Sequence, residues 1–316
     1  MREIIIDCDP GQDDAVALLL ALAYPETFEI IGITAVAGNV PLSLTERNAR
    51  IICDLAKRED TRVFAGCAQP MKRALCTAEA VHGKTGIDGI EIFEPETPLE
   101  EAHAVDFIIE ALLAAPAHSV TLVPTGPLTN IATAIEREPG VLEHVDEIVL
   151  MGGAMREGGN FSPSAEFNIL VDPHAADIVF RCGRPITAMG LDVTHQVLST
   201  RERVAAIRAL KNPVADAVAG MLSFFHRHDA AKYGSEGAPL HDPCTIAYLL
   251  QPELFAGRQC NVSVETESEL TIGHTAVDFW HVTDRPINTN WIYQVDAHGF
   301  YSLLNESLAR YSESAA

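Results

Sequence analysis

The chain has 316 residues, with 22 basic and 44 acidic side chains and a formal charge of −22. That imbalance argues against a surface built to grip nucleic acid or an anionic membrane, and it predicts solubility and repulsion of acidic partners. With 47% of its residues apolar the chain can bury a large core, and no linker or composition shift divides it, so residues 1–316 are expected to form a single α/β domain.

The first β-rich run is Ile4-Ile5-Ile6, and Asp7-Cys-Asp-Pro-Gly-Gln-Asp-Asp14 follows it at once. No charged segment with an apolar core precedes this motif, so no secretory leader is expected. The helix-like run Ala15 to Ala23 is far shorter than the roughly 20 residues a membrane-spanning helix needs. Further strands are predicted at Ile30–Ala35, Val120–Val123, Glu147–Met151 and Pro185–Met189. Helices are predicted over 13–24, 42–58, 103–115, 128–137 and 173–182. This alternation predicts an α/β fold with an open, mostly parallel β-sheet flanked by helices. Beyond residue 200 come longer helical segments, alternating stretches at Val262–Glu265 and Thr275–Asp278, and a closing helix from Phe300 to Arg310. The alternating stretches predict a small antiparallel β addition near the C-terminus. The seven cysteines form no C-x-x-C pair and are odd in number, which suits a reducing cytoplasm.

Polar and glycine-rich motifs follow the strands: Asp7 to Asp14, Ala37-Gly38-Asn39, Thr125-Gly126, Gly152 to Asn168, and Asp192 to His195. Ligands of open α/β sheets bind outside the carboxyl ends of the strands, so these five loops are expected to meet at one site. Neither a G-x-x-x-x-G-K-[ST] loop nor a strand-linked G-x-G-x-x-G is present, which leaves nucleotide phosphate binding of those kinds unsupported.

Asp7, Asp9, Asp13 and Asp14 place four carboxylates within eight positions. Two unit charges about 4 Å apart repel by roughly 4 kcal/mol at an effective dielectric near 20, so such a cluster in a crevice must protonate or hold a cation. The alternative is an acidic turn directed into water. The Pro10-Gly11 turn lets Asp9 and Asp14 approach one point at a helix start, and hard oxygen ligands suit calcium or magnesium rather than zinc. His241-Asp242 supplies another carboxylate beside an imidazole, a pattern that a helix N-cap with a packed histidine also explains. Asn160, Glu166 and Asn168 gather two amides and a carboxylate, groups suited to hydroxyl recognition, although asparagines also form turns.

Taken together, these stretches resemble the calcium-dependent nucleoside hydrolases, which split ribonucleosides into ribose and free base. The resemblance runs over nearly the whole chain. It is carried by Asp7-Cys-Asp-Pro-Gly-Gln-Asp-Asp14, Ala37-Gly-Asn39, Thr125-Gly-Pro-Leu-Thr-Asn130, Met151-Gly-Gly153, Asn160 with Ala165-Glu-Phe-Asn168, and His241-Asp242. It implies Ca²⁺ held by Asp9, Asp14, Asp242 and the Thr125 carbonyl, and ribose surrounded by Asp13, Asn39, Met151, Asn160, Glu166 and Asn168. It implies a calcium-bound water whose proton Asp9 accepts, His241 as acid to the leaving base, and base contacts from His82, Phe167 and Tyr233. Gly237 to Ile246, with His82 and Tyr233, look most like the pyrimidine-preferring branch, favouring uridine and cytidine. Asp229 departs from that pattern, because relatives often carry an aromatic or amide group there. The resemblance further implies nucleoside salvage and a homo-oligomer, commonly a homotetramer, with no nucleic acid or membrane partner.

Three alternatives stand beside this reading. One is a nonspecific purine or inosine-uridine nucleoside hydrolase. Another is a noncatalytic nucleoside-binding protein. The third is a haloacid-dehalogenase-like phosphatase with Asp7 as nucleophile and Asp9 as acid/base, although Pro10 stands where that family usually has Thr or Val.

Overall fold

Ile4, Ile5 and Ile6 are all fully buried, so β1 (Arg2–Cys8) is covered on both faces, as a central strand of a parallel sheet is. The computed structural model describes residues 1–233 and 236–313, and the side chains of these except at 228–233 and 313. In chain order the other strands are β2 (Phe28–Ala35), β3 (Val63–Ala65), β4 (Leu99–Glu100), β5 (Val120–Pro124), β6 (Val145–Met151), β7 (Ile186–Met189), β8 (Leu198–Thr200), β9 (Gly237–Pro239), β10 (Phe255–Cys260), β11 (Val262–Val264), β12 (Thr275–Val277) and β13 (Thr289–Val295). The helices are α1 (Gln12–Leu22), α2 (Leu42–Leu55), α3 (Glu79–His82), α4 (Ala104–Ala114), α5 (Thr129–Arg137), α6 (Phe167–Val171), α7 (Pro173–Phe180), α8 (Leu191–Thr194), α9 (Arg201–Arg208), α10 (Pro213–Tyr233), α11 (Pro243–Leu250) and α12 (Ala297–Glu313).

Nine strands form one sheet in the order β10-β13-β7-β6-β5-β1-β2-β3-β4, with β10 the single antiparallel member. Successive side chains of β1 point to opposite faces. Ile4 and Ile6 therefore join a core with α1, α2, α10, α11 and α12, including Leu18, Ile51, Val218, Ile246 and Leu304. Ile5 joins a second core with α4, α5 and α7, including Phe107, Ile131 and Phe180. The helices thus cover both faces, as the alternating pattern predicts.

The antiparallel addition takes the form of β11 paired with β12 in a separate two-stranded sheet packed on α7, while β10 pairs antiparallel at the edge of the main sheet. Strand β13 is a further member that the pattern does not announce. Its sequence, Thr-Asn-Trp-Ile-Tyr-Gln-Val, lacks clean alternation because it runs parallel to β7 inside the sheet, with neighbours on both sides.

This topology positions the site. The chain leaves β1 through α1 towards β2 on one side, and later returns to lay β5 on the other side of β1. A crevice opens outside the strand ends where connections diverge in this way. Asp9 lies just past β1 and Thr125 just past β5, and the Thr125 N–H donates to the Asp7 carbonyl at 2.8 Å. Among the described residues no helix is long and apolar enough to cross a membrane.

Candidate active site

Helix α1 begins immediately after the Pro10-Gly11 turn, and Asp14 closes that start: its Oδ2 accepts from the Gly11 N–H at 3.0 Å. A carboxylate in the first turn also meets the positive end of the helix dipole. Asp14 Oδ1 accepts from the Thr125 hydroxyl at 2.8 Å, joining the ends of β1 and β5. Asp9 Oδ2 accepts from the Asn39 N–H at 2.7 Å. Asp9 Oδ1 and Asp13 Oδ1 are buried with no hydrogen-bond partner among the described residues.

Across from them Asp242, one residue before α11, completes the cluster. Carboxylate oxygens of Asp13, Asp14 and Asp242 lie within 4.8 Å of one another, and all three residues are buried. Asp9 stands beside this trio rather than within it. Burial raises the pKa of every member. Asp13 is pushed up to about 7, Asp14 is raised, and Asp9 and Asp242 go well above the carboxylate range, with mutual repulsion adding to the desolvation at Asp9 and Asp242. Such stacking of buried negative charge is what a cation reverses, and unpartnered carboxylate oxygens suit a hard divalent ion.

The cluster opens into a cleft of about 510 Å³. Asp13, Asn39, Thr125, Met151, Asn160, Glu166, Phe167, Asn168, His82, His241 and Asp242 line it, and with His195 it brings together residues from all five expected loops. Asp9 and Asp14 are behind its wall, bonded to the lining residues Asn39 and Thr125. The side chain of Tyr233 lies outside the described ones, as does that of Asp229.

Glu166 caps α6 by accepting from the Asn168 N–H at 2.9 Å, and it also accepts from the Gly153 N–H at 3.0 Å. Burial lifts its pKa to about 7. Asn168 donates from Nδ2 to the Thr125 carbonyl at 2.7 Å and to the Met151 carbonyl at 3.3 Å. A carbonyl has two lone pairs, so Thr125 keeps one for a ligand. Asn160 accepts from the Phe167 N–H at 2.9 Å, which ties its loop to α6.

His82 and His241 lie on the same cleft. His82 stacks on Phe225 with ring centroids 5.4 Å apart, and its Nδ1 is 2.7 Å from Gln12 Oε1. His241 Nδ1 is 2.8 Å from Thr194 Oγ1. Burial, reinforced by His195 and His82, holds His241 down to about 3, so the ring is neutral at physiological pH. A neutral imidazole still carries one N–H and can donate a hydrogen bond.

Sequence reasoning flagged the loops around Glu157 and His195 but not these two side chains, which pair at 3.1 Å and also line the cleft. Phe161 and Phe225 were missed as well. Their only sequence signal is an aromatic residue inside a flagged loop, for Phe161, or inside a long helix, for Phe225.

Asp7 behaves differently from its neighbours. It is fully buried, and its Oδ1 accepts from Thr34 at 2.5 Å and Asn130 at 2.8 Å, residues of β2 and α5 that do not line the cleft. That placement removes the phosphatase alternative, which needs Asp7 to meet substrate.

Residues 4–302 match the family model of the inosine-uridine preferring nucleoside hydrolases. A pyrimidine-specific ribonucleoside hydrolase, RihA, of Photobacterium profundum is 50% identical over 311 residues, covering 98% of this chain and 99% of that one. The solved purine-preferring ribonucleoside hydrolase from Gardnerella vaginalis superposes with a TM-score of 0.91 at 33% identity, covering 99% and 100% of the two chains. A plant nucleoside hydrolase, PpNRh1, gives a TM-score of 0.91 at 31% identity, covering 98% and 99%. With its acidic cluster at the β1–β5 crossover and a fold and sequence shared from end to end, the chain belongs to the inosine-uridine preferring nucleoside hydrolase family and is a ribonucleoside hydrolase.

Proposed function

We propose that the protein cleaves the N-glycosidic bond of pyrimidine ribonucleosides, uridine and cytidine, with a calcium ion held by Asp9, Asp14, Asp242 and the Thr125 carbonyl. The observation that carries this reading is the buried carboxylate cluster with unpartnered oxygens at the floor of a cleft lined by hydroxyl-binding groups. When bound, Ca²⁺ supplies a Lewis acid that acidifies water and orients the ribose hydroxyls. The pyrimidine preference rests on the 50% identity to an enzyme named for it.

The chain's own residues do the rest. Asn160, Glu166 and Asn168 bind the ribose, and Asp13 and Asn39 hold its hydroxyls from the opposite wall. Asp9 accepts the proton of the attacking water through Oδ1, the oxygen with no hydrogen-bond partner among the described residues. Positive charge grows on the sugar as the C–N bond lengthens, and the carboxylates of Asp13 and Glu166 stabilise it. His241 donates to the departing base, and His82 and Phe167 border that base, with Tyr233 as a further contact. The cleft wall carries Asp13, Glu157, Glu166 and Asp242 and no Lys or Arg among its described residues, which disfavours a phosphorylated substrate.

We further place the protein in the cytoplasm as one domain of a homo-oligomer, acting in nucleoside salvage; its seven cysteines, all unpaired, accord with a reducing compartment. The deciding experiment is release of free base from uridine, cytidine, inosine and adenosine, without phosphate, before and after chelation and return of calcium. Chelator-sensitive release restored by calcium and fastest for uridine or cytidine is expected. Release from inosine as fast as from uridine would replace pyrimidine preference with the nonspecific reading, and binding without any release would make the protein a nucleoside carrier.

A further inference from the structure

The hydrogen-bond partners of the two cleft histidines determine where each ring carries its hydrogen. Gln12, fully buried at the start of α1, donates from Nε2 to the His82 carbonyl at 2.9 Å and to the Asp88 carbonyl at 3.1 Å. An amide nitrogen has two hydrogens, and the reversed amide would set an oxygen against two carbonyl oxygens, so the orientation of Gln12 is settled. Its Oε1 then faces His82 Nδ1 at 2.7 Å. An amide oxygen only accepts, so His82 Nδ1 must donate.

His241 has the opposite arrangement. Thr194, also fully buried, has its hydroxyl 2.8 Å from His241 Nδ1, and no other bond of that hydroxyl is formed among the described residues. A buried hydroxyl hydrogen needs an acceptor, and the ring nitrogen is the one within reach. An imidazole that accepts at Nδ1 carries its hydrogen at Nε2.

We infer that Gln12 and Thr194 are positioning residues that set opposite tautomers on the two histidines of the cleft, Nδ1–H on His82 and Nε2–H on His241. The inference rests on ribonucleoside hydrolysis at this cleft and deepens it. His241 then presents its Nε2–H to the leaving base, with Nδ1 engaged by Thr194. Gln12, two residues from both Asp14 and Pro10, makes the acidic turn itself the support for a histidine 70 residues away.

Neutron diffraction from deuterated crystals of the native chain near neutral pH tests the assignment directly. Deuterium on His82 Nδ1 and on His241 Nε2, with His241 Nδ1 bare, is expected. A bare His82 Nδ1, or a deuterated His241 Nδ1, overturns it, whatever the enzyme's activity. Kinetics supply the second arm. Thr194→Val should slow uridine cleavage about tenfold or more while p-nitrophenyl riboside, whose leaving group needs no hydrogen bond, changes little; Thr194→Ser should restore the uridine rate. Equal slowing of both substrates, or no rescue by serine, would reduce Thr194 to a packing role. Gln12→Met should raise KM for uridine and leave p-nitrophenyl riboside unaffected, and an unchanged uridine KM counts against Gln12. Failure of the native chain to release base from any nucleoside would sink the proposed activity and leave the neutron result standing.

Discussion

Asn39 grips Asp9 twice: its backbone N–H donates to Asp9 Oδ2 at 2.7 Å, and its side-chain amide donates to the Asp9 carbonyl at 3.0 Å. The same amide reaches Asp14 Oδ2 at 3.2 Å. Asn39→Ala keeps the first bond and removes the other two. We expect a stability loss of about 1–3 kcal/mol in urea unfolding and a calcium affinity about tenfold weaker by calorimetry. Unchanged calcium binding would confine Asn39 to the ribose.

Gly38 and Gly126 leave the space that the Asp9 carboxylate occupies. A Cβ on Gly38 would collide with Asp9 Oδ2, and one on Gly126 with Oδ1. Neither glycine has a positive φ, so alanine at either position is a question of room rather than backbone strain. Gly38→Ala and Gly126→Ala should each displace Asp9 and cut kcat by about 100-fold or more with native circular dichroism retained. Near-normal kcat would mean that the Asp9 carboxylate can turn aside without loss of function.

Asp9→Ala should abolish base release and weaken calcium binding together. His241→Ala should slow uridine far more than p-nitrophenyl riboside, and equal slowing of the two would exclude a donor to the leaving group.

Four buried carboxylates of like charge make the metal-free fold costly, so calcium should stabilise it. At a free concentration 100 times Kd the gain is about 2.7 kcal/mol, visible as a higher Tm in calorimetry. A melting curve that does not move on chelation and calcium return would show that the cluster holds no ion.

Glu166 gives a signed dependence on pH. Burial raises its pKa from 4.5 to about 7, so between those values the folded protein holds a proton that the unfolded chain has lost. Its favourable contribution is complete below the lower value and disappears as pH rises through the upper one. In chelator, Glu166→Gln should flatten the fall of unfolding free energy across that window; an unaltered slope would show Glu166 to be ionised throughout.

The acidic turn, the loops after the strands and the sheet were legible because each is local. Asp7 to Asp14 lies within one strand–turn–helix unit, and β6 ends in the apolar run 148–151. What escaped was set by distant partners. Thr194 acquires meaning from His241, 47 residues on, and Gln12 from His82, and neither pairing leaves a mark on residues nearby. The separation of Asp7 from the rest of its motif arises from Asn130, 123 residues away.

Trp291 on β13 is fully buried, and its indole packs against the backbone at Gly153 and Gly190, the loops that follow β6 and β7. The cleft at Met151 is therefore braced by β13, a strand that follows β7 only after all of α8 to α11 and the intervening strands. During synthesis β7 waits as an open edge, and the pocket floor lacks its brace until residue 295 has emerged from the ribosome. A nascent chain can fold its acidic turn early, yet its cleft is completed only by β13, the last described strand in chain order.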